Sequence, residues 1–517
     1  MVKILCGAFF ISLSCLTAQI HPSAIVVYDH PYQQLQFEKL QRGDTAYIDL
    51  MLAADPAITP FQALEASKML EQLFTRLDSQ KLARKKPAKQ IGAIFETVHE
   101  EILKQYHTEN QISEIFTTGH YNCVSASAVY SYMLERMGIP HIGVERPSHV
   151  YVMAFPQGEE WVLESTSPAE QGYYQVTDKK REQFLEYLVE QKIITAAQKE
   201  SHHLDSILNE LYPTRAITKM HLASFQYSNI ALFQLEREEH WSAYQAALKA
   251  YWLMPEPYQK GILVRAAASW LSENQYQDSM YEPSLSFLLH LDTSASMRRT
   301  ALQAFDQITL FHSEGDLSAE RYRSLYEAFK AAWADFPREQ ALVEGSYYYH
   351  LSYLALVNNR FRDSWRAIKG ALRKMPHDGD VHTLFSSAIN SLSAEESWAY
   401  ADLLDTLKTT QSFFPALLQN QQFVHMKAHT TLALANYHLT EYEYPKAIEL
   451  VQEFEGMVDQ LDPILRSVRV LATQNYLRLA IYIYPKDKQQ SKSYFDKAGQ
   501  YSEEEGRVEA IMQNFNF

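Results

Sequence analysis

The sequence predicts an α+β domain followed by an all-α array of antiparallel helical pairs. Between Ile91 and Thr166, apolar residues first recur at helical spacing and then give way to three short runs of strand-forming residues. From about Asp178 to the end almost everything has helical periodicity, and small residues and prolines recur at fixed offsets. A chain of 517 residues also exceeds one ordinary core, so two or three domains are expected.

The first eighteen residues have the pattern of an export signal. Lys3 supplies a minimal positive end, Ile4 to Leu16 an apolar run, and Thr17-Ala18 a small-residue cleavage region. Leu16, three before the cut, is not ideal, and a buried N-terminal helix is the alternative. Cys15 raises lipid attachment after cleavage, although Ser12 stands where the lipoprotein pattern wants an aliphatic residue. The expectation is an exported protein, periplasmic or secreted, with a lipid anchor as the lesser reading. The run is too short to span a bilayer and no later segment is long enough, so no membrane span is expected. Cleavage removes Cys6 and Cys15 and leaves Cys123 alone, which allows no intramolecular disulfide. Its thiol is then either buried or used.

Residues 19–58 form a polar-aromatic lead, and the α+β domain is expected over 59–177. Thr59 caps a helix that Pro60 opens and Gln62 completes as a capping box, running to about Leu77. A basic loop (Lys81, Arg84, Lys85, Lys86, Pro87, Lys89) connects it to the next helix. That helix carries Ile91, Ile94, Phe95, Val98, Ile102 and Leu103 on one face, with His99 and His107 expected at the surface. A third helix runs from Cys123 to Met137 and stops at Gly138-Ile139-Pro140. His141–Glu145, His149–Phe155 and Trp161–Thr166 have strand propensity.

A helical connector is expected over 178–215 and the array over 216–517. Ala250, Ala332 and Ala371 each precede a proline by five residues, and the prolines are separated by 82 and 39 residues. Ala231 and Ala243, Ser352 and Ser364, and Ala435 and Ala447 stand twelve apart. Small residues at these offsets let two antiparallel helices approach closely, and the proline ends the second helix of a pair. His202-His203 is a helix-surface feature by default, and Tyr347, Tyr348 and Tyr349 are packing residues.

The chain is that of a folded protein, 46% hydrophobic and 21% charged, with 33 tyrosines and 25 phenylalanines. A net charge of −15 without a long basic stripe argues against a nucleic-acid partner.

The chemistry gathers around Cys123. A cysteine at the first turn of a helix has backbone N–H groups and the positive end of the dipole beside it, both favouring thiolate. Gly119 to Asn122 reads as loop and Val124 to Met137 as helix, which puts Cys123 there. His149 begins a strand after Pro147-Ser148, a fixed place from which an imidazole can act as base. A four-residue loop, Pro156 to Glu159, would pair Phe155 with Glu160 and set Glu164 opposite Tyr151, diagonal to His149 and on its face. An odd loop would remove Glu164 from reach. His120 and His141 flank these residues without a role. Metal binding is not expected, because no close-spaced ligand pair is present, and no cofactor is implied.

The stretches Tyr121-Asn122-Cys123-Val124-Ser125-Ala126-Ser127-Ala128, Leu134-Glu135-Arg136-Met137-Gly138-Ile139-Pro140, Ser148-His149-Val150-Tyr151-Val152 and Trp161-Val162-Leu163-Glu164-Ser165-Thr166 resemble the transglutaminase-like core. The resemblance covers about residues 90–175. It implies a papain-like α+β fold, with Cys123 as nucleophile, His149 as general base and acid, and Glu164 as orienter. The best-known members carry aspartate at the third place, so Glu164 is a departure. The array, over roughly 216–500, resembles the tetratricopeptide repeat, with a generic helical bundle as the alternative.

The implied chemistry is that of a hydrolase or acyltransferase: thiolate attack on a protein or peptide amide gives a thioester. Water resolves it by hydrolysis or deamidation and an amine by crosslinking, with a helical-repeat region recruiting a partner. The Cys123 backbone N–H would form half of an oxyanion hole, with Asn122 or Tyr121 as the other donor. The runner-up is a catalytically inactive module serving as a protein-interaction scaffold.

Overall fold

A computed structural model of the chain describes residues 21–166, 172–195, 199, 213–273, 276, 278–504 and 506–517. The expected signal segment with Cys6 and Cys15, and the His202-His203 pair, lie outside the described residues. Two compact units divide between Asp292 and Thr293.

In the first unit, the stretch expected as a lead is part of the core. Helices α1 (Pro31–Gln41) and α2 (Tyr47–Leu52) bury Phe37, Leu50, Met51 and Leu52 completely. Helix α3 (Pro60–Ser79) begins with the Thr59–Gln62 capping box. The basic segment is less of a loop than its charge suggests. It holds a short 3₁₀ turn at Leu82–Arg84 with Leu82 buried, and α4 (Pro87–Glu101) already starts at Pro87. Helix α4 buries Ile91, Ile94, Phe95 and Val98 along one face. Next come β1 (Gln105–Tyr106), α5 (Ile112–Ile115), β2 (His120–Tyr121) and α6 (Cys123–Arg136). Strands β1 and β2 pair in parallel. Gly138, at φ +68°, ends α6 as a left-handed cap, with the Ile139 N–H donating to the Leu134 carbonyl.

A five-stranded antiparallel sheet stands beside α6. Its strands are β3 (His141–Arg146), β4 (His149–Ala154), β5 (Trp161–Leu163), β6 (Tyr173–Gln175) and β7 (Arg215–Ile217), in the order β6-β5-β4-β3-β7. The three expected strands are present, with β5 ending one residue before Glu164. The outer strands β6 and β7 are too short to announce themselves in the sequence. Residue 215, expected in a helical connector, is strand, and the first part of that connector is helix α7 (Asp178–Glu190).

The unit continues through α8 (Lys219–Glu236), α9 (His240–Leu253), α10 (Pro257–Leu271) and α11 (Tyr281–Leu291). Leu222, Ala223, Phe225 and Tyr227 of α8 share one core with Phe37, Ile48, Val129 and Val152. The Tyr227 hydroxyl donates to the Leu50 carbonyl at 3.1 Å. The N–H of Val27 donates to Gln245 Oε1 at 2.7 Å, and Lys249 Nζ, almost wholly buried, donates to Asp29 Oδ2 at 2.8 Å. The compact boundary therefore falls at 292/293 and not at 216, because the first helical pair completes the core of the α+β domain. Periodicity at Ala231 and Ala243 marks α8 and α9 as a pair without revealing what lies on their other faces.

The second unit is all helix. Helices Pro337–Val357 and Phe361–Lys374 meet at Ser352 and Ser364, whose hydroxyls lie 2.9 Å apart in a buried contact. Ala435 and Ala447 are fully buried in the pair Gln421–Thr440 and Tyr444–Glu455. A further pair is Arg466–Ile483 and Lys488–Tyr501. Pro376 lies just beyond a helix end, as Pro255 does in the first unit. Pro337 instead opens the next helix, where its missing N–H costs nothing. Tyr347 is buried against Tyr326, the ring centroids 3.8 Å apart. Among the described residues, no helix is long and apolar enough to cross a membrane.

Phe37 lies against Trp252 of α9 and Tyr227 of α8, with ring centroids 4.9 and 5.8 Å away. Phe37→Ala should destabilise the unit by about 3–5 kcal/mol. A urea titration followed by tryptophan fluorescence checks this; a change typical of a surface substitution would mean that the lead is not core.

Candidate active site

The site is built from the head of α6 outward. Asn122 precedes the helix in an extended conformation, and its Oδ1 accepts the N–H groups of Val124 and Ser125, both at 3.0 Å. Ser125 Oγ returns an acceptor to the Asn122 N–H, closing a capping box. Cys123 is thereby the first helical residue, half-buried and reduced. Its N–H has no intrahelical acceptor.

Asn110 ties this cap to its surroundings. Buried at 4% exposure, it accepts from Ser125 Oγ at 2.7 Å and donates to the His120 carbonyl at 2.9 Å. Its own carbonyl accepts from Asn122 Nδ2 at 3.3 Å and from Gln226 Nε2 of α8 at 3.2 Å. One residue thus links the cap at Cys123, strand β2 and helix α8.

Strands β4 and β5 place the other two groups. Pro147-Ser148 is a two-residue turn, closed by the Arg146–His149 pair, with Ser148 at φ +60°. It sets His149 at the first position of β4. Ala154 pairs with Trp161 and Val152 with Leu163, the even register that a four-residue loop predicts. Continued one step, this register sets Glu164 opposite Tyr151. His149 Nε2 lies 2.6 Å from Glu164 Oε2. Glu164 Oε1 accepts from the Thr166 N–H at 3.0 Å and the Thr166 hydroxyl at 2.6 Å. Arg146 stands 3.8 Å from Oε2. The Glu164 N–H donates to the Gly172 carbonyl at 2.6 Å. A side chain at Gly172 would collide with the Glu164 carbonyl and with Phe95, so glycine alone lets the two backbones approach.

Electrostatics follow from these contacts. Burial disfavours the charged form of His149, but hydrogen bonds to Cys123 and Glu164, together with their negative charge, outweigh it and raise its pKa to about 9. For Glu164 burial again opposes the charge, and the bonds from His149 and Thr166 prevail, lowering its pKa. With Nε2 engaged by the carboxylate, Nδ1 is the ring nitrogen left to serve the thiol. Of the three residues singled out from the sequence, His149 and Glu164 are hydrogen-bonded, and Cys123 lines the same cleft as His149.

The two candidates for an oxyanion donor are placed differently. The amide of Asn122 is spent on the carbonyls of Thr108 and Asn110, both at 3.3 Å. The Tyr121 hydroxyl is buried and donates to the Ser165 carbonyl at 3.2 Å. Neither has a donor to spare, because both hold the frame. Tyr106, absent from the sequence reading, faces the site from β1 and feels the charges of Cys123 and Glu164. It lines, with Thr108, Cys123 and His149, a cleft of about 320 Å³. Nothing in a two-residue strand marks Tyr106; its place follows from the β1–β2 pairing.

His99, expected at the surface, is half-buried against Phe95 and Tyr130, and burial lowers its pKa to about 4. His107 lies beyond the helix and is exposed. His141 Nδ1 meets the Ile139 carbonyl, and His120 lies beside Glu114, so neither joins the set. Among the described residues, no group of three or more His, Cys, Asp or Glu side chains is arranged to hold a metal ion. No protein-family model matches the chain, and no curated protein matches it closely enough to count as a relative.

The His149 shift has a stability consequence. Its folded pKa of about 9 exceeds the ordinary 6.5, so the stabilisation is complete below 6.5 and lost as pH rises through 9. Between those limits the chain should lose about 2 kcal/mol, less than the full shift implies because water reaches the site. Denaturant titrations at pH 6.5 and 9.5 of the chain and of His149→Ala check this; equal losses in both would remove His149 from the account.

Proposed function

We propose that the chain is a transglutaminase-like cysteine hydrolase acting on protein or peptide amides, in a papain-like α+β domain extended by tetratricopeptide-like helices. The observation that carries this reading is the His149 imidazole, hydrogen-bonded to the Glu164 carboxylate and lining one cleft with Cys123. A helix headed by cysteine beside an antiparallel sheet bearing the other two groups supports the resemblance. The apolar run at Ile4–Leu16 supports export, and the paired helices support a role in recruiting a protein partner.

In this mechanism the Cys123 proton passes to His149, and Sγ attacks the amide carbonyl carbon. The new C–S bond gives a tetrahedral oxyanion held by the Cys123 N–H, with the Tyr106 hydroxyl as second donor. The C–N bond breaks as His149 gives its proton to the leaving nitrogen. The thioester remains on Cys123. Water, deprotonated by His149, adds to it and releases the carboxylic acid and the thiol. Glu164 fixes the ring and stabilises the imidazolium. Its extra methylene relative to aspartate suits its place just past the end of β5, where Thr166 holds the other oxygen.

The direct test is acylation of the mature chain by p-nitrophenyl acetate. A burst of nitrophenol, with one acetyl group retained on Cys123 and none on Cys123→Ala, supports the reading. No acylation of an alkylatable Cys123 would leave the scaffold alternative.

Three outcomes are expected with an amide substrate. The kcat/KM should fall as pH rises through about 9, where His149 loses the proton that it gives the leaving nitrogen. In Glu164→Gln this limb should move toward 6.5, with kcat lower by about 10²–10⁴-fold. Tyr106→Phe should lower kcat by about 10²-fold with KM little changed. A loss confined to KM would assign Tyr106 to binding alone.

A further inference from the structure

The cleft over Cys123 has a second wall that neither α6 nor the sheet supplies. Helix α8 presents Phe225, Asn229, Leu232 and Phe233 to it, spaced so that they fall on one helical face. Tyr258 of α10 joins them, its ring edge-on to Phe225 with centroids 6.1 Å apart. Phe225 is nearly buried, Leu232 and Phe233 half-buried, and Tyr258 48% exposed. Apolar surface left this open beside a nucleophile calls for a partner.

The wall is fixed with respect to the thiol. Gln226, between the wall residues, donates to the same Asn110 carbonyl that holds the Asn122 cap. Tyr227 is anchored on Leu50, and Phe225 belongs to the shared core. The geometry is thus that of a preformed subsite rather than of a mobile flap.

Resting on the catalytic reading above, we infer that Phe225, Leu232, Phe233 and Tyr258 form a specificity subsite selecting an aromatic or large aliphatic side chain next to the amide attacked. Asn229, the polar residue among them, is placed to bond the substrate backbone. The volume of about 320 Å³ accommodates one such residue beside the scissile group, not a folded surface. The substrate class is therefore an extended, apolar peptide segment. The first helix of the array acts as part of the catalytic cleft, and not only as a recruiting surface.

The test uses the full mature chain and tripeptidyl fluoromethyl ketones, which form a thioether with Cys123 and expel fluoride. Each carries phenylalanine or aspartate at one position in turn, with alanine elsewhere. Every labelling rate is divided by that of the all-alanine probe in the same protein, which cancels differences in thiol reactivity. At one position phenylalanine should exceed aspartate by about 10–200-fold, the range an apolar pocket provides. Leu232→Ser and, separately, Phe233→Ser should each cut that ratio several-fold. Iodoacetamide, too small to reach the wall, is the control in the unmutated chain. Rapid alkylation by iodoacetamide with no preference at any position would overturn the subsite and leave the nucleophile standing. Failure of iodoacetamide to label Cys123 would overturn the catalytic reading and the subsite with it. The comparison in the unmutated chain is decisive even if a variant does not fold.

Discussion

The arrangement around Cys123 depends on the Asn122 cap. Its Oδ1 satisfies two of the N–H groups that every helix head leaves open, while its amide is consumed by the carbonyls of Thr108 and Asn110. A buried side chain with every polar atom paired has one orientation available, and the thiol next to it inherits that orientation. Through the Asn110 carbonyl the constraint extends to Gln226 on α8. Cys123 and the facing wall are held through two donors on a single oxygen, so whichever donor shifts leaves its own buried amide unpaired.

Two half-buried histidines separate burial from function. His99 loses water among aromatic rings, and its Nε2 has no hydrogen-bond partner, so its pKa falls to about 4. His149 is buried to a similar degree, yet two acidic partners drive its pKa to about 9. Desolvation acts in the same direction on both, and the specific partners decide the sign of the outcome. An imidazole protonated at neutral pH beside a thiol is suited to protonating a leaving group. One kept neutral in an apolar pocket is a packing unit.

Much of this was legible in the chain because the signals are local. Cysteine at a helix head, a proline-serine turn before His149 and an even loop before Trp161 each rest on a few consecutive residues, and strand parity carries Glu164 to His149 without knowledge of the rest of the fold. What escaped depends on distant pairings. Asn110 lies in a polar stretch whose bonds reach Gln226, 116 residues away, and Tyr106 sits on a strand of two residues. Asn122 and Tyr121 looked like free donors because the sequence does not record which acceptors stand opposite them. The lead failed for a related reason: Tyr47–Leu52 is apolar without a period, which is what burial on all sides produces.

The same reasoning bears on what the helical pairs do. A repeat unit buries its faces against its neighbours, so the first unit of an array needs some cover for its outer face. Here the α+β domain provides that cover: α8 packs Leu222, Ala223 and Tyr227 into the core that also holds Val129 of α6. Asn229, Leu232 and Phe233 of the same helix line the cleft, and Phe225 reaches both. Capping the array and walling the cleft are thus two faces of one helix. A substitution that loosens α8 from the core would then disturb the cleft as much as the stability, because Gln226 and Phe225 serve both. Separating the domain from its first helices at residue 216 would remove part of the core together with one side of the cleft, so the unit that builds the cleft extends through α10.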